Sequence, residues 1–435
     1  MPKIPRLVER TQLCAIDASY HPEPMSKPHD TRLTGYISQE HKATEAKVSK
    51  LIKGIASTAV GTVLYGATLL GADVTSGIRE GKEAVQDSHA EIHDIYTDAA
   101  EFNPLYQGHA TFVLTGLGTK DPSKTAEVLT IHQEIGRVFG VEYSNKDLNT
   151  FDIAKRIIEK TREYHITELS FDGYSAGGPI SIDVAAHIGR LAPELKIVSI
   201  TLNSSPLGKE SLTEKSRGGV DIMEDIMSIN EDLAYYKHGH IAVEVFNRNA
   251  AYLERENVDS SASALLGMNK FSHNGVVYTI DYGKAIDEMR EVTEKLDNPA
   301  AASAELIRQQ ARYTVRSDYK NNVETLPDDV LYVYTRSTDA SADQVVNVDN
   351  GEAAFIEVMQ KLGREFAVQH SDVGHANPAE DLQAYDQMKR RMHVDITRKL
   401  LMLFIERETV KIEAVSTTLQ NKALQPANPI EGTPN

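Results

Sequence analysis

Gly173-Tyr-Ser-Ala-Gly177 is the stretch whose residue types and spacing can do chemistry. A serine with glycine two positions to either side suits a strained strand-to-helix turn, where larger side chains would strike neighbouring backbone. Such a turn lifts the hydroxyl clear of a sheet edge and sets it at a helix N-terminus, whose dipole helps hold developing negative charge. The context fits, with an apolar strand over 166–171 before it and a helical pattern over 176–191 after it. Ser175 therefore reads as a nucleophile rather than part of a plain glycine-rich turn. Rival chemistries find less. Gly116 and Gly118 would need a third glycine at 121 to make a dinucleotide loop, and Asp121 stands there. His238 and His240 lack Cys, Asp or Glu partners at a recognised metal spacing, so they read as a loop. The single cysteine, Cys14, excludes an intrachain disulfide framework and a multi-cysteine zinc site. The expected metal and cofactor requirement is none.

The elements that must position Ser175 alternate between β and α. Strands are expected over 111–114, 141–143, 166–171, 196–202, 330–334 and 365–369, with helices over 123–139, 151–164, 176–191, 352–362 and 378–405. In the last helix Leu382, Tyr385, Met388, Met392, Ile396, Leu400 and Leu403 recur at steps of three and four, which makes one apolar face. Strands and helices of these lengths in alternation imply a parallel sheet covered on both faces. Residues 207–327 interrupt the alternation with a mainly helical pattern and one strand at 275–280. They read as a cap over the carboxyl edge of the sheet, where ligands of α/β folds bind. The Ile222/Met223/Ile226/Met227 cluster within it reads as the underside of a helix, with an acyl pocket as the alternative.

The 435 residues carry 46 Lys+Arg against 63 Asp+Glu, a formal charge of −17, which argues against a binder of nucleic-acid backbones. Residues 1–42 are polar and proline-rich and read as a disordered arm, without the apolar run of a secretory signal. Residues 43–105 read as a helical N-terminal region. Within it the uncharged stretch 54–72 is long enough for a bilayer but rich in glycine, so a buried helix is the favoured reading and a membrane span the alternative. The expected location is cytoplasmic, with the stretch as the candidate for membrane association. If it spans, its flanking lysines would keep the N-terminal arm inside and place the main domain outside. The core is assigned to 106–206 and 328–408, and 409–435 to a disordered tail.

On the Gly-x-Ser-x-Gly elbow and its strand–helix context, the sequence resembles the α/β-hydrolase superfamily, in particular lipase- and esterase-like serine hydrolases, over about 109–405. The resemblance implies a mostly parallel, doubly wound sheet and a triad in the chain order serine, acid, histidine. It places the general base at His375 of Val373-Gly-His-Ala376, just beyond the last strand, with His370 as a packing or loop residue. It places the acid at Asp343, which precedes a Val-Val pair in Asp343-Gln-Val-Val346, or at Asp339, which lies nearer the strand end; Asp343 is preferred. Thr115-Gly-Leu-Gly118 looks like the His-Gly-x-Gly oxyanion loop of lipases with threonine in place of histidine, and implies an oxyanion hole from the backbone N–H groups of Leu117 and Ala176. The implied activity is hydrolysis of a carboxylic ester with an apolar or lipid-like acyl group. The alternatives are a thioesterase or acyltransferase with the same triad, and a catalytically silent scaffold that binds a lipid or a partner.

Overall fold

The computed structural model describes residues 89–98, 103–213, 216–217, 253–256, 270–273, 276–280, 284, 302–316, 319–343, 345–371, 374–375 and 382–423. The strands are β1 (Glu91–Tyr96), β2 (His109–Leu114), β3 (Arg137–Glu142), β4 (Glu168–Tyr174), β5 (Lys196–Asn203), β6 (Leu253–Glu256), β7 (Lys270–His273), β8 (Val276–Ile280), β9 (Leu331–Ser337) and β10 (Phe366–Ser371). The helices are α1 (Ser123–Val128), α2 (Thr150–Glu163), α3 (Gly177–Leu191), α4 (Ala304–Arg316), α5 (Tyr319–Thr325), α6 (Val348–Leu362) and α7 (Leu382–Ala423).

The main sheet has seven strands in the order β1-β3-β2-β4-β5-β9-β10. All neighbours are parallel except β1, which pairs antiparallel with β3. Successive residues of the inner strands point to opposite faces, and both faces are apolar, as a sheet covered on both sides requires. Phe112, Phe139, Phe171, Ile197 and Tyr332 join one buried cluster with Ile153, Ile157, Ile180 and Val184 of α2 and α3. Val113, Val138, Val198, Leu331 and Val333 join the other, with Tyr385, Met388, Met392, Ile396 and Leu400 of α7. The α7 residues are the apolar face read from the sequence.

Several expectations change. The helix expected over 123–139 is the short α1, a 3-10 turn over Thr130–Ile135, and then strand β3 from Arg137. The region 43–105 reads as helical, but its residues 91–96 form strand β1. Ile92 packs on one cluster while Ile95 and Tyr96 pack on the other, across a register shift between Asp94 and Tyr96 that broke the alternation in the sequence. The disordered tail assigned to 409–435 is corrected as well, since α7 runs on to Ala423. Within the insertion 207–327 the described residues include the antiparallel sheet β6-β8-β7, where one strand at 275–280 is expected. At its end, Leu306, Ile307, Ala311 and Val323 of α4 and α5 are buried in the main cluster, so the core resumes near 302 rather than 328. The arm 1–42, the stretch 54–72, the Ile222/Met227 cluster and His238/His240 lie outside the described residues. No described helix is long and apolar enough to cross a membrane.

Candidate active site

Ser175 sits in the turn between β4 and α3 with φ +52°, a left-handed conformation that side chains rarely adopt. Its N–H donates to the Asn203 carbonyl at 2.8 Å, which ties the elbow to the end of β5. The glycines are dictated by contact. A Cβ at Gly173 would lie 2.6 Å from Gly177 O and Gly178 Cα, and one at Gly177 would strike the carbonyls of Leu114 and Thr115. A Cβ at Gly116 would lie 2.6 Å from the Ser175 Cβ and 3.1 Å from the Ala176 nitrogen. The 115–118 loop therefore runs against the serine with no room for a side chain between them.

Two later strand ends deliver the other groups. His375, beyond β10, places Nε2 2.9 Å from Ser175 Oγ and Nδ1 2.8 Å from Asp343 Oδ2. Asp343, in the loop after β9, is 3% exposed, and its Oδ1 accepts the N–H groups of Val345 at 3.0 Å and Val346 at 2.8 Å. A carboxylate at Nδ1 makes that nitrogen the donor, which leaves Nε2 free to accept the serine proton. Asp339 makes no hydrogen bond to His375. It is exposed, its Oδ1 accepts the N–H and hydroxyl of Ser341, and those bonds hold its carboxyl below the ordinary range. His370 is exposed, with its ring 3.6 Å from Glu352. Leu117, which follows Gly116 in that loop, is 46% exposed, and Ala176 caps α3 immediately after Ser175.

Two features of the site escaped the sequence. The first is the support of the 115–119 loop, where threonine replaces histidine. Gln310 of α4, fully buried, accepts the Gly118 N–H at 3.1 Å and donates to the Thr119 carbonyl at 3.2 Å. Tyr143 donates to the Thr115 carbonyl at 2.8 Å, and the Ala302 N–H to the Gly118 carbonyl at 3.0 Å. The second is a buried polar cluster beneath the elbow. Asp172 accepts four hydrogen bonds: Lys389 Nζ at 2.6 Å and Asn203 Nδ2 at 2.8 Å on Oδ1, His132 Nε2 at 2.8 Å and Tyr174 Oη at 2.9 Å on Oδ2. Asn203 also donates to the Gly173 carbonyl at 3.0 Å, so the cluster braces the elbow from below. Burial alone would raise the Asp172 carboxyl, but the Lys389 charge and the His132 contact overcome it and hold the group ionised. Burial lowers the Lys389 ammonium, and Asp172 opposes that shift. His393 packs behind His132, and burial pushes it down to about 2, with the charge on Lys389 adding to the effect. The signal available in the sequence was an aspartate between Phe171 and the glycine that opens the elbow.

No family model matches the chain, and no curated protein matches it. Solved structures do. A hydrolase from Oleispira antarctica shares 12% identity over 72% of this chain and 96% of its own, with a TM-score of 0.42. A thermostable carboxyl esterase from Bacillus coagulans shares 10% identity over 72% of this chain and 99% of its own, with a TM-score of 0.43. A homoserine O-acetyltransferase from Bacillus anthracis shares 11% identity over 72% of this chain and 91% of its own, also with a TM-score of 0.43. The fold is legible without them. The doubly covered parallel sheet, the serine elbow at the end of β4 and the aspartate and histidine at later strand ends give this chain the α/β-hydrolase fold.

Proposed function

We propose that the protein is a serine hydrolase of carboxylic esters. The observation that carries the reading is the hydrogen-bonded run Ser175 Oγ, His375 Nε2, His375 Nδ1, Asp343 Oδ2, with links of 2.9 and 2.8 Å. In this reading His375 takes the Ser175 proton as Oγ attacks the acyl carbonyl, and Asp343 holds the imidazolium that forms. The N–H groups of Leu117 and Ala176 receive the oxyanion, aided by the α3 N-terminus. His375 then gives its proton to the leaving alkoxide, which departs as the alcohol. Water, deprotonated by the same nitrogen, attacks the acyl-enzyme and releases the acid and the serine. Nothing in that cycle calls on a metal or an organic cofactor.

A fluorophosphonate probe tests the assignment, because it labels only an activated serine. Wild-type protein should be labelled and should turn over a short p-nitrophenyl ester, and Ser175→Ala should do neither while keeping its fold. Turnover by Ser175→Ala would overturn the reading, and an unlabelled wild type would leave a binding scaffold. Transfer of the acyl group to an added alcohol or thiol in preference to water would move the assignment to an acyltransferase.

A further inference from the structure

α7 is 42 residues long, about 63 Å at 1.5 Å per residue, and only its first half is needed to cover the sheet. A helix lying on a domain should be polar on its outer side. α7 is not. Val394, Leu401, Ile405, Ile412 and Val415 are 45–68% exposed, on the side turned away from the buried Met392, Ile396 and Leu400. At 100° per residue these five side chains lie within about 80° of one another, so they form one line along the helix.

The spacing of that line is informative. Positions 394, 398, 401, 405, 408, 412 and 415 advance by alternating steps of four and three, the seam of a two-stranded coiled coil. Five of the seven are apolar, and the other two are Arg398 and Glu408. Pairing two copies of the helix antiparallel, about a two-fold axis midway between 401 and 405, sets 394 opposite 412, 398 opposite 408 and 401 opposite 405. The two charges then meet across the seam with opposite sign, flanked by layers of Val, Leu and Ile. Parallel pairing would set Arg398 on Arg398 and Glu408 on Glu408. Each charge now makes only a surface pair on its own helix, Arg398 with Asp395 at 3.1 Å and Glu408 with Lys411 at 2.7 Å, so each is available to exchange.

The geometry points to a second copy of this chain as the occupant: the protein forms a two-fold dimer through antiparallel pairing of the outer face of α7. Six of the seven positions pair within the seam, as an isologous interface requires, and Val415 lies opposite Arg391 at its edge. Its charged layers fix both direction and register.

Sedimentation velocity on the full chain tests this. Wild type should sediment as a dimer. Leu401→Glu/Ile405→Glu, at the two-fold, should sediment as a folded monomer with unchanged probe labelling of Ser175. Arg398→Glu alone and Glu408→Arg alone should each weaken the dimer about tenfold or more, and the double exchange should restore it. A monomeric wild type would overturn the proposal, and so would single exchanges that dimerise as well as wild type. A monomer that floats with phosphatidylglycerol vesicles through the same residues would assign the stripe to lipid instead.

Discussion

Asp343→Asn tests the proposed triad most sharply, because the surroundings of that carboxylate determine how the amide must lie. Asp343 Oδ1 accepts the N–H groups of Val345 and Val346 at 3.0 and 2.8 Å. These are fixed backbone donors, so an asparagine must turn its carbonyl oxygen toward them. Its NH₂ group then faces His375 Nδ1 and donates to it. The ring answers by carrying its proton on Nε2, which lies 2.9 Å from Ser175 Oγ and can no longer accept the serine proton. Volume and backbone bonds are nearly unchanged, so stability should hold while the base is lost. The wrong tautomer costs on the order of 10⁴-fold in kcat, about 5.5 kcal/mol of activation free energy. The assay is kcat on a short p-nitrophenyl ester, with the melting temperature followed in parallel. Asp339→Asn serves as the control and should leave kcat within a few-fold of wild type, since the side chain touches only Ser341. An Asp343→Asn enzyme within tenfold of wild type, at an unchanged melting temperature, would refute the tautomer argument. A large loss from Asp339→Asn would transfer the role.

Three further outcomes follow from the same geometry. Gly116→Ala should lower kcat about 10²–10³-fold, the cost of one lost oxyanion donor, because the new methyl meets the Ser175 Cβ and drives the loop away; unchanged turnover would remove that loop from the reaction. Lys389→Met should destabilise the fold by roughly 3–5 kcal/mol by leaving the Asp172 charge buried without a counter-charge, and adding Asp172→Asn should recover most of the loss; equal melting temperatures for all three proteins would contradict this. Acid should weaken the fold through His109, whose buried ring burial pushes down from 6.5 to about 4. The unfolded chain takes up this proton first, so stability is complete above about pH 6.5 and about 3 kcal/mol is lost as pH falls to about 4. Urea midpoints measured across that window would show the loss, and a flat profile would exclude it.

The sheet was largely legible because its inner strands are short apolar runs buried on both faces, and apolar runs separated by helical patterns are what a sequence displays best. Strand β1 was hidden because Glu91, His93 and Asp94 give it the look of a charged connector and a register shift breaks its alternation. The end of α7 was hidden by polarity, since Lys411, Glu413 and the polar residues that follow them read as a tail. Ser175 was legible because sterics force glycine into fixed positions around it. Gln310 and Lys389 were not, because a side chain's role is set by partners far along the chain. Gln310 meets Gly118 across 192 positions and Lys389 meets Asp172 across 217, and no local pattern encodes either contact.

The two ends of the 207–327 insertion are sewn to different parts of the site. Before the long excursion, the Thr213 N–H bonds the Val345 carbonyl at 3.1 Å, and the Asn347 N–H bonds the Ser211 carbonyl at 2.9 Å, stitching the outgoing strand of chain to the turn that carries Asp343. On return, Ala302 and Gln310 grip the loop that faces Ser175. The excursion between them starts and finishes on welded joints rather than on free hinges. A displacement at either joint is therefore passed to the reacting groups through backbone hydrogen bonds. A protein engineer who grafts a new segment into this insertion should therefore keep residues 207–213 and 302–310, because those joints also hold the turn of Asp343 and the loop against Ser175.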